Sequence, residues 1–206
     1  MYRISMPRKT LIRTKLYPYH VVSRSNHKWW FSCDLSEVWK ISISSLAHAQ
    51  SCYPVNLHAF VLMQNHYHLL LDTPNEDIDS FMYEFNKMFS LLLRKKTRLI
   101  NRMFGGRYKW SLVKDDISYW YVLRYIFQNP VAANICQNVF DYPYSSIRHS
   151  EMISKLKFKP FVDILNKKNL SSIKNIFNQE QREIIQRALY RSEFKINKKY
   201  KQMLLT

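Results

Sequence analysis

Glycine is nearly missing from this sequence. Its 206 residues include only Gly105 and Gly106, where an average composition of about 7% would supply roughly fourteen. Two adjacent glycines cannot write a GxGxxG turn or a P-loop, so enzymes that cradle a nucleotide on a glycine-rich loop are excluded. Cysteine is scarce too. Cys33, Cys52 and Cys136 are odd in number and show no CxxC spacing, which excludes a disulfide frame and a zinc ribbon and fits a reducing compartment. No apolar run approaches the ~20 residues that a membrane helix needs. The start, MYRISMPRKT, has no apolar core of a secretory signal. A cytoplasmic protein without a membrane partner is expected. Acidic residues are also few: 15 Asp and Glu face 32 Lys and Arg, for a net charge of +17 and a pI of about 9.8. That balance calls for a polyanionic partner, nucleic acid before membrane.

Against these absences stands a hydrophobic content of 47%, enough to build a core and to exclude wholesale disorder. The positive charge is unevenly spread. Residues 1–30 carry seven basic and no acidic residues, residues 31–150 carry twelve and ten, and residues 151–206 carry thirteen and five. A nearly neutral middle is thus flanked by two basic ends, as expected of arms that bind phosphates. Solvation of Lys-rich ends is the plainer alternative. The division expected is a domain over 1–150 and a basic, helical tail over 151–206.

Periodicity places the elements. Leu16–Ser23 is aromatic and β-branched, a strand. Asp34 or Ser36 can cap a helix to about Gln50, with Leu35, Val38, Trp39, Ile43 and Leu46 as its apolar stripe. Val55–Met63 and His66–Asp72 read as two strands of a hairpin turning at Gln64-Asn65. A long helix begins near Asn75, with acids in its first turn and Arg94, Lys95 and Lys96 in its last, matching the helix dipole. Arg107–Lys114 is a fourth strand, and Asp115 or Asp116 caps a helix that reaches Pro130. The order β-α-β-β-α-β, then a helix, predicts an α+β fold: a ferredoxin-like antiparallel sheet with helices on one face. A further amphipathic helix is expected around Asn178–Tyr190.

Two constellations carry chemistry. In Gln64-Asn65-His66-Tyr67-His68, strand geometry points His66 and His68 to one face and Tyr67 to the core. Two adjacent imidazoles can share a metal ion, although paired strand histidines that simply hydrogen-bond are the commoner case. In Tyr125-Ile126-Phe127-Gln128-Asn129-Pro130, Tyr125 and Asn129 share a helical face, so a phenol and a hard amide oxygen meet the same object. Tyr121 lies on that face as well and competes for the role. Pro130 disfavours helical geometry at Asn129, which predicts a kink or a restart there.

These segments together resemble the REP-associated tyrosine transposases of the single-tyrosine HUH transposase superfamily. The resemblance runs over about residues 6–147: Met6-Pro7-Arg8, His20-Val21-Val22-Ser23-Arg24, Leu62 to Leu70, Gly106-Arg107-Tyr108-Lys109, Tyr125 to Val131, and Asp141-Tyr142-Pro143-Tyr144-Ser145-Ser146. It implies the HUH nuclease fold, with His66, His68 and Asn129 as ligands of Mg²⁺ or Mn²⁺ and Tyr125, not Tyr121, as nucleophile. The implied activity is metal-dependent cleavage and rejoining of single-stranded DNA beside a hairpin, through a 5′-phosphotyrosine, by a monomer or a homodimer. The sequence departs from that family at Gln64 (usually Pro), Ser25 (usually Gly) and Ala132-Ala133-Asn134 (usually Arg-Ala-Gly). None of these is a proposed ligand or the nucleophile.

For the DNA, Arg8, Lys9, Arg13, Lys15 and Arg24 are candidate phosphate contacts in the N-terminal arm. Arg107, Tyr108, Lys109 and Trp110 set basic and aromatic side chains along one strand, where alternate residues can face a base. Trp29 and Trp30 are further stacking candidates against the commoner expectation that tryptophans are buried. The competing function, from another class, is a non-catalytic hairpin-binding protein. A water-using zinc phosphodiesterase is a third reading, disfavoured because further His or Asp ligands do not cluster nearby.

Overall fold

A computed structural model of the chain describes residues 9–98, 103–104, 106–148, 153–158 and 172–204. Alternation of side chains in the β-branched segments forms four strands, β1 (Tyr19–Arg24), β2 (Asn56–Leu62), β3 (His66–Asp72) and β4 (Lys109–Leu112). They pair antiparallel in the order β2-β3-β1-β4. Between them run α1 (Leu35–Cys52) and α2 (Ile78–Thr97), giving the ferredoxin-like order expected; α3 (Asp116–Ala132) and α4 (Gln179–Leu189) follow, then a last helical turn, α5 (Lys198–Lys201). The β2–β3 hairpin turns at Gln64-Asn65, closed by the Met63 N–H donating to the His66 carbonyl at 2.8 Å.

One sheet face presents Tyr19, Val21, Leu57, Phe60, Leu62, Tyr67, Leu69, Leu71, Trp110 and Leu112 to α1 and α2. The α2 stripe Ile78, Phe81, Met82, Phe85, Phe89 and Leu93 follows the i, i+3, i+4 rule and is buried throughout. This is the helical layer expected on one face. The other face is covered as well: Ala59, Val61, Met63 and Leu70 pack under Val122, Leu123, Ile126 and Phe127 of α3, with Ile185 and Leu189 of α4 in the same cluster. The difference from the single-layer expectation follows from β2 and β3, whose residues are almost all buried, on both faces. A bulge between Leu57 and Ala59 inserts His58, which joins the Tyr119 hydroxyl at 2.9 Å and Asp72 at 3.1 Å.

Both sheet edges are covered, which blunts pairing with another chain. Along β2, the Ser146 N–H donates to Phe60 O and the Leu62 N–H to Tyr144 O, at 2.8 and 3.0 Å. The Asp141–Ser146 motif therefore seals an edge. Beside β4, the Leu112 N–H donates to Ser192 O and the Phe194 N–H to Leu112 O, at 2.9 and 2.8 Å. Residues 192–194 and α4 thus pack onto the sheet, so this part of the expected tail is integrated with the domain. At the end of α3, Asn134 takes a left-handed φ of 54°, where the resembled family has glycine; Asn tolerates that conformation. Ser25, with φ −57°, stands where no glycine is needed.

Candidate catalytic site

The polar end of the second sheet face opens into a cavity of about 880 Å³. His66 and His68 of β3 project into it from the same face, their ring centroids 5.1 Å apart. The Tyr125 ring of α3 lies 5.9 Å from that of His68. Asn129, one turn later, also lines the cavity. Tyr67 points the other way, its hydroxyl donating to Asn86 Oδ1 at 2.7 Å. Tyr121 packs edge-on to Phe177 and does not line the cavity. Tyr119 is bound to His58. Of the candidate tyrosines on α3, Tyr125 is the one in the cavity with the histidines.

Asp115 caps α3, its carboxylate accepting from the Ser118 N–H at 2.9 Å and from the Ser118 hydroxyl at 2.7 Å. The helix does not stop at Asn129. It runs past Pro130 to Ala132 without a restart, and Asn129 supplies the reason. Pro130 has no N–H for the Ile126 carbonyl, and the Asn129 side-chain amide donates to it at 3.3 Å and to Tyr125 O at 2.8 Å. These bonds fix the orientation of the amide and turn Oδ1 outward into the site.

Burial governs the protonation states. Desolvation, aided by the charge of Arg24, lowers the His66 pKa to about 4; His20 is held at about 3 by burial alone. His68 is pushed well below its ordinary value, first by burial and then by neighbouring His66, His20 and Arg182. All three imidazoles are neutral near pH 7 and keep a lone pair for a metal. The Nδ1–H of His66 donates to Asn65 Oδ1 at 2.7 Å, leaving Nε2 bare. His68 Nδ1 lies 3.0 Å from His20 Nε2, and donation from His68 to His20 leaves His68 Nε2 bare as well. Burial raises the Tyr125 phenol, opposed by the charge of Arg182 and a bond to Gln186.

Two neutral imidazoles and an amide oxygen suit a divalent cation of borderline to hard character. Among the described residues, no three His, Cys, Asp or Glu side chains form a closed metal site. An ion held by His66, His68 and Asn129 would therefore keep positions open for phosphate oxygens.

The candidate DNA contacts separate. Arg24, Arg107 and Lys109 line the cavity, as does Lys28. Arg13 is committed elsewhere, in a two-point pair with Asp79 of α2 at 2.7 and 3.0 Å. Lys9 rests on Trp110, its Nζ donating to the backbone carbonyl at 3.4 Å, and Lys15 is exposed. Arg8 lies outside the described residues. The side chains of 107–110 part company: Tyr108 and Trp110 are buried in the α1–α2 core, so neither ring is open to a base, which corrects the expectation for Tyr108. Trp29 and Trp30 are 72% and 68% exposed. They follow His27 and Lys28, which take left-handed φ values of 54° and 61°, in a loop tied to the hairpin by the Asn65 amide donating to Lys28 O at 2.7 Å.

Two site residues escape sequence reasoning. His20 sits in the quoted His20–Arg24 segment, and its face parity with Val22 was a usable signal; its pairing with His68 needed the β1–β3 register. Arg182 reaches the cavity from α4 and had no such signal, standing 53 residues beyond Asn129.

Comparison with known proteins shows the family. The family model described as "Transposase IS200 like" matches residues 13–129, more than half of the chain. A candidate REP-associated tyrosine transposase of Haemophilus influenzae is 31% identical over 113 residues, 48% of this chain and 64% of the relative. The chain thus matches less than two thirds of that relative's length. A solved structure of a REP-associated tyrosine transposase bound to a REP hairpin superposes with a TM-score of 0.61 at 17% identity, covering 84% of this chain and 93% of that one; this likeness is one of fold. On the family match, with the histidine pair and helix tyrosine in one cavity, the chain belongs to the IS200-like transposase family.

Proposed function

We propose that the protein is a metal-dependent single-stranded DNA endonuclease and strand transferase that acts beside hairpin DNA through a 5′-phosphotyrosine intermediate. The observation that carries this reading is the meeting of Tyr125, His66, His68 and Asn129 in one cavity of one chain.

Attack by the Tyr125 oxygen on phosphorus forms the Tyr–O–P bond and breaks the P–O3′ bond, and the phenolic proton ends on the departing 3′ oxygen. Because one phosphodiester replaces another, a second 3′-hydroxyl can reverse the step and join strands. A neutral phenol with pKa near ~10 is a weak nucleophile, and here burial makes it weaker. Mg²⁺ or Mn²⁺, held by His66 Nε2, His68 Nε2 and Asn129 Oδ1, would polarise the scissile phosphate and offset its developing charge. Asn129 Oδ1 has two lone pairs, so its bond to Arg182 leaves one for the cation.

Arg24, Lys28, Arg107 and Lys109 surround the cavity and would hold phosphates of the strand entering it. Exposed Trp29 and Trp30 offer surfaces on which unpaired bases stack. The hairpin bound in the solved relative supports a hairpin substrate for this chain too. Among the described residues, no helix is long and apolar enough to cross a membrane.

The test is a denaturing gel of the protein with a labelled hairpin oligonucleotide bearing a single-stranded flank. A covalent protein–DNA band is expected with Mg²⁺ or Mn²⁺, and none with EDTA or in Tyr125→Phe. Salt-sensitive hairpin binding without such a band, under either metal, would make the chain a non-catalytic hairpin-binding protein instead.

A further inference from the structure

Arg182 is a buried cation whose bonding is unfinished. It stands in the first turn of α4, at the positive end of the helix dipole, where a cation is disfavoured. It is 7% exposed, and it makes no ion pair with any described residue. Its Nη2 donates to Asn129 Oδ1 at 3.0 Å, and its guanidinium carbon lies 4.9 Å from the centre of the Tyr125 ring. Its Nη1 is buried and has no hydrogen-bond partner. Guanidinium remains charged in proteins and presents its donors in a fixed fork suited to phosphate oxygens. A buried charge with an unsatisfied donor is disfavoured unless something anionic completes it.

Two α3 side chains position this group. Gln128, fully buried, donates to Ile173 O and Asn175 O at 2.9 and 2.8 Å and accepts from the Phe177 N–H at 3.0 Å. Arg124 donates to Asn175 O at 2.8 Å and stacks over Phe177 at 4.0 Å. The docked segment ends in Asn178, which forms a reciprocal capping box with Gln181 and starts α4 one residue before Gln179. Arg182 then faces Asn129 across the cavity. All of α4 lies beyond the 13–129 family match.

We propose that Arg182 is a catalytic residue, supplied by α4, whose free Nη1–H donates to a non-bridging oxygen of the scissile phosphate and stabilises the charge that gathers there as Tyr125 attacks. This rests on the strand-transfer reading above. The bonds made and broken are those already given; Arg182 adds a hydrogen-bond donor and positive charge, and takes no proton.

The experiment compares the wild-type protein with Arg182→Ala and Arg182→Lys on the same labelled hairpin, in Mn²⁺, measuring hairpin binding and the rate of covalent adduct formation separately. Loss of one preorganised donor predicts a fall of about 10²–10³-fold in rate for Arg182→Ala, with binding changed by less than about tenfold, since the contact is to one phosphate among several. Arg182→Lys, which keeps the charge but not the fork, should lie between, and guanidinium ion added at millimolar concentration should restore part of the Ala variant's rate, which a merely structural role would not allow. A variant that forms adduct as fast as wild type, or faster, would overturn the assignment and make Arg182 a plug. If the wild type itself forms no adduct, the strand-transfer reading falls and the assignment with it; an active wild type with an unimpaired Ala variant removes the assignment alone.

Discussion

At the scale of single residues, the site depends on which ring nitrogens and amide atoms face the cavity. His68 offers its Nε2 only in the tautomer with the proton on Nδ1, and His20 Nε2, 3.0 Å away and stacked at 5.3 Å between centroids, is placed to accept that proton's hydrogen bond. Removing that partner leaves His68 free to rotate or change tautomer. We therefore expect His20→Ala to raise the Mn²⁺ concentration needed for half-maximal adduct formation by about 10–100-fold, with hairpin affinity in EDTA unchanged; a metal titration checks it. His66 and His68 were legible in the sequence because strand parity alone sets them on one face. Tyr125 was legible with Asn129 by helical spacing, but its choice over Tyr121 came from resemblance until the cavity separated them. The face of His20 was legible from strand parity, but its contact with His68 was not, since which strand neighbours β3, and in what register, is a long-range fact. The burial of Tyr108 was not legible, because it precedes β4: Arg107 and Lys109 line the cavity, while Tyr108 and Trp110 pack in the core.

At the scale of elements, α3 carries both the nucleophile and the amide ligand, so its ends matter more than its middle. The Asp115 cap satisfies the Ser118 N–H and hydroxyl. Asp115→Ala should lower stability by about 1 kcal/mol, read as a drop in the thermal unfolding midpoint, while the adduct rate of the folded protein stays within about threefold because Asp115 is nearly four turns from Asn129. A change of 10-fold or more in rate would show that the cap also positions Tyr125. The element order, the hairpin turn and the α1 and α2 stripes were legible because each rests on local periodicity or turn chemistry. Helix α3 continued past Pro130 against the local rule because the Asn129 side chain replaces the missing donor, a compensation that dipeptide preferences do not contain. The docking of α4 was also invisible locally: its capping box and apolar stripe announce a helix, but Gln128 and Arg124 decide where it lies.

At the scale of the whole molecule, the division of charge has a structural counterpart. The nearly neutral 31–150 stretch holds the histidine pair, the tyrosine and the amide, and the basic ends send Arg24 and Lys28 from one side and Arg182 from the other. Described residues of both ends therefore reach the cavity. Four cations line its mouth, so hairpin affinity should fall linearly with salt on a log–log plot, with a slope of about −0.7 to −0.9 for each phosphate neutralised. Replacing Arg24 or Lys109 by Ala should make that slope shallower by about one unit; an unchanged slope would place the phosphates elsewhere on the surface. The central claim is that Tyr125 itself becomes joined to DNA. Its most direct test is mass spectrometry of the protein after Mn²⁺-dependent reaction with the hairpin oligonucleotide, nuclease trimming and proteolysis. The account predicts a nucleotide-5′-phosphate mass on the peptide containing Tyr125, fragmenting at that residue. A modified Tyr121, or cleaved DNA with every tyrosine unmodified, would contradict it.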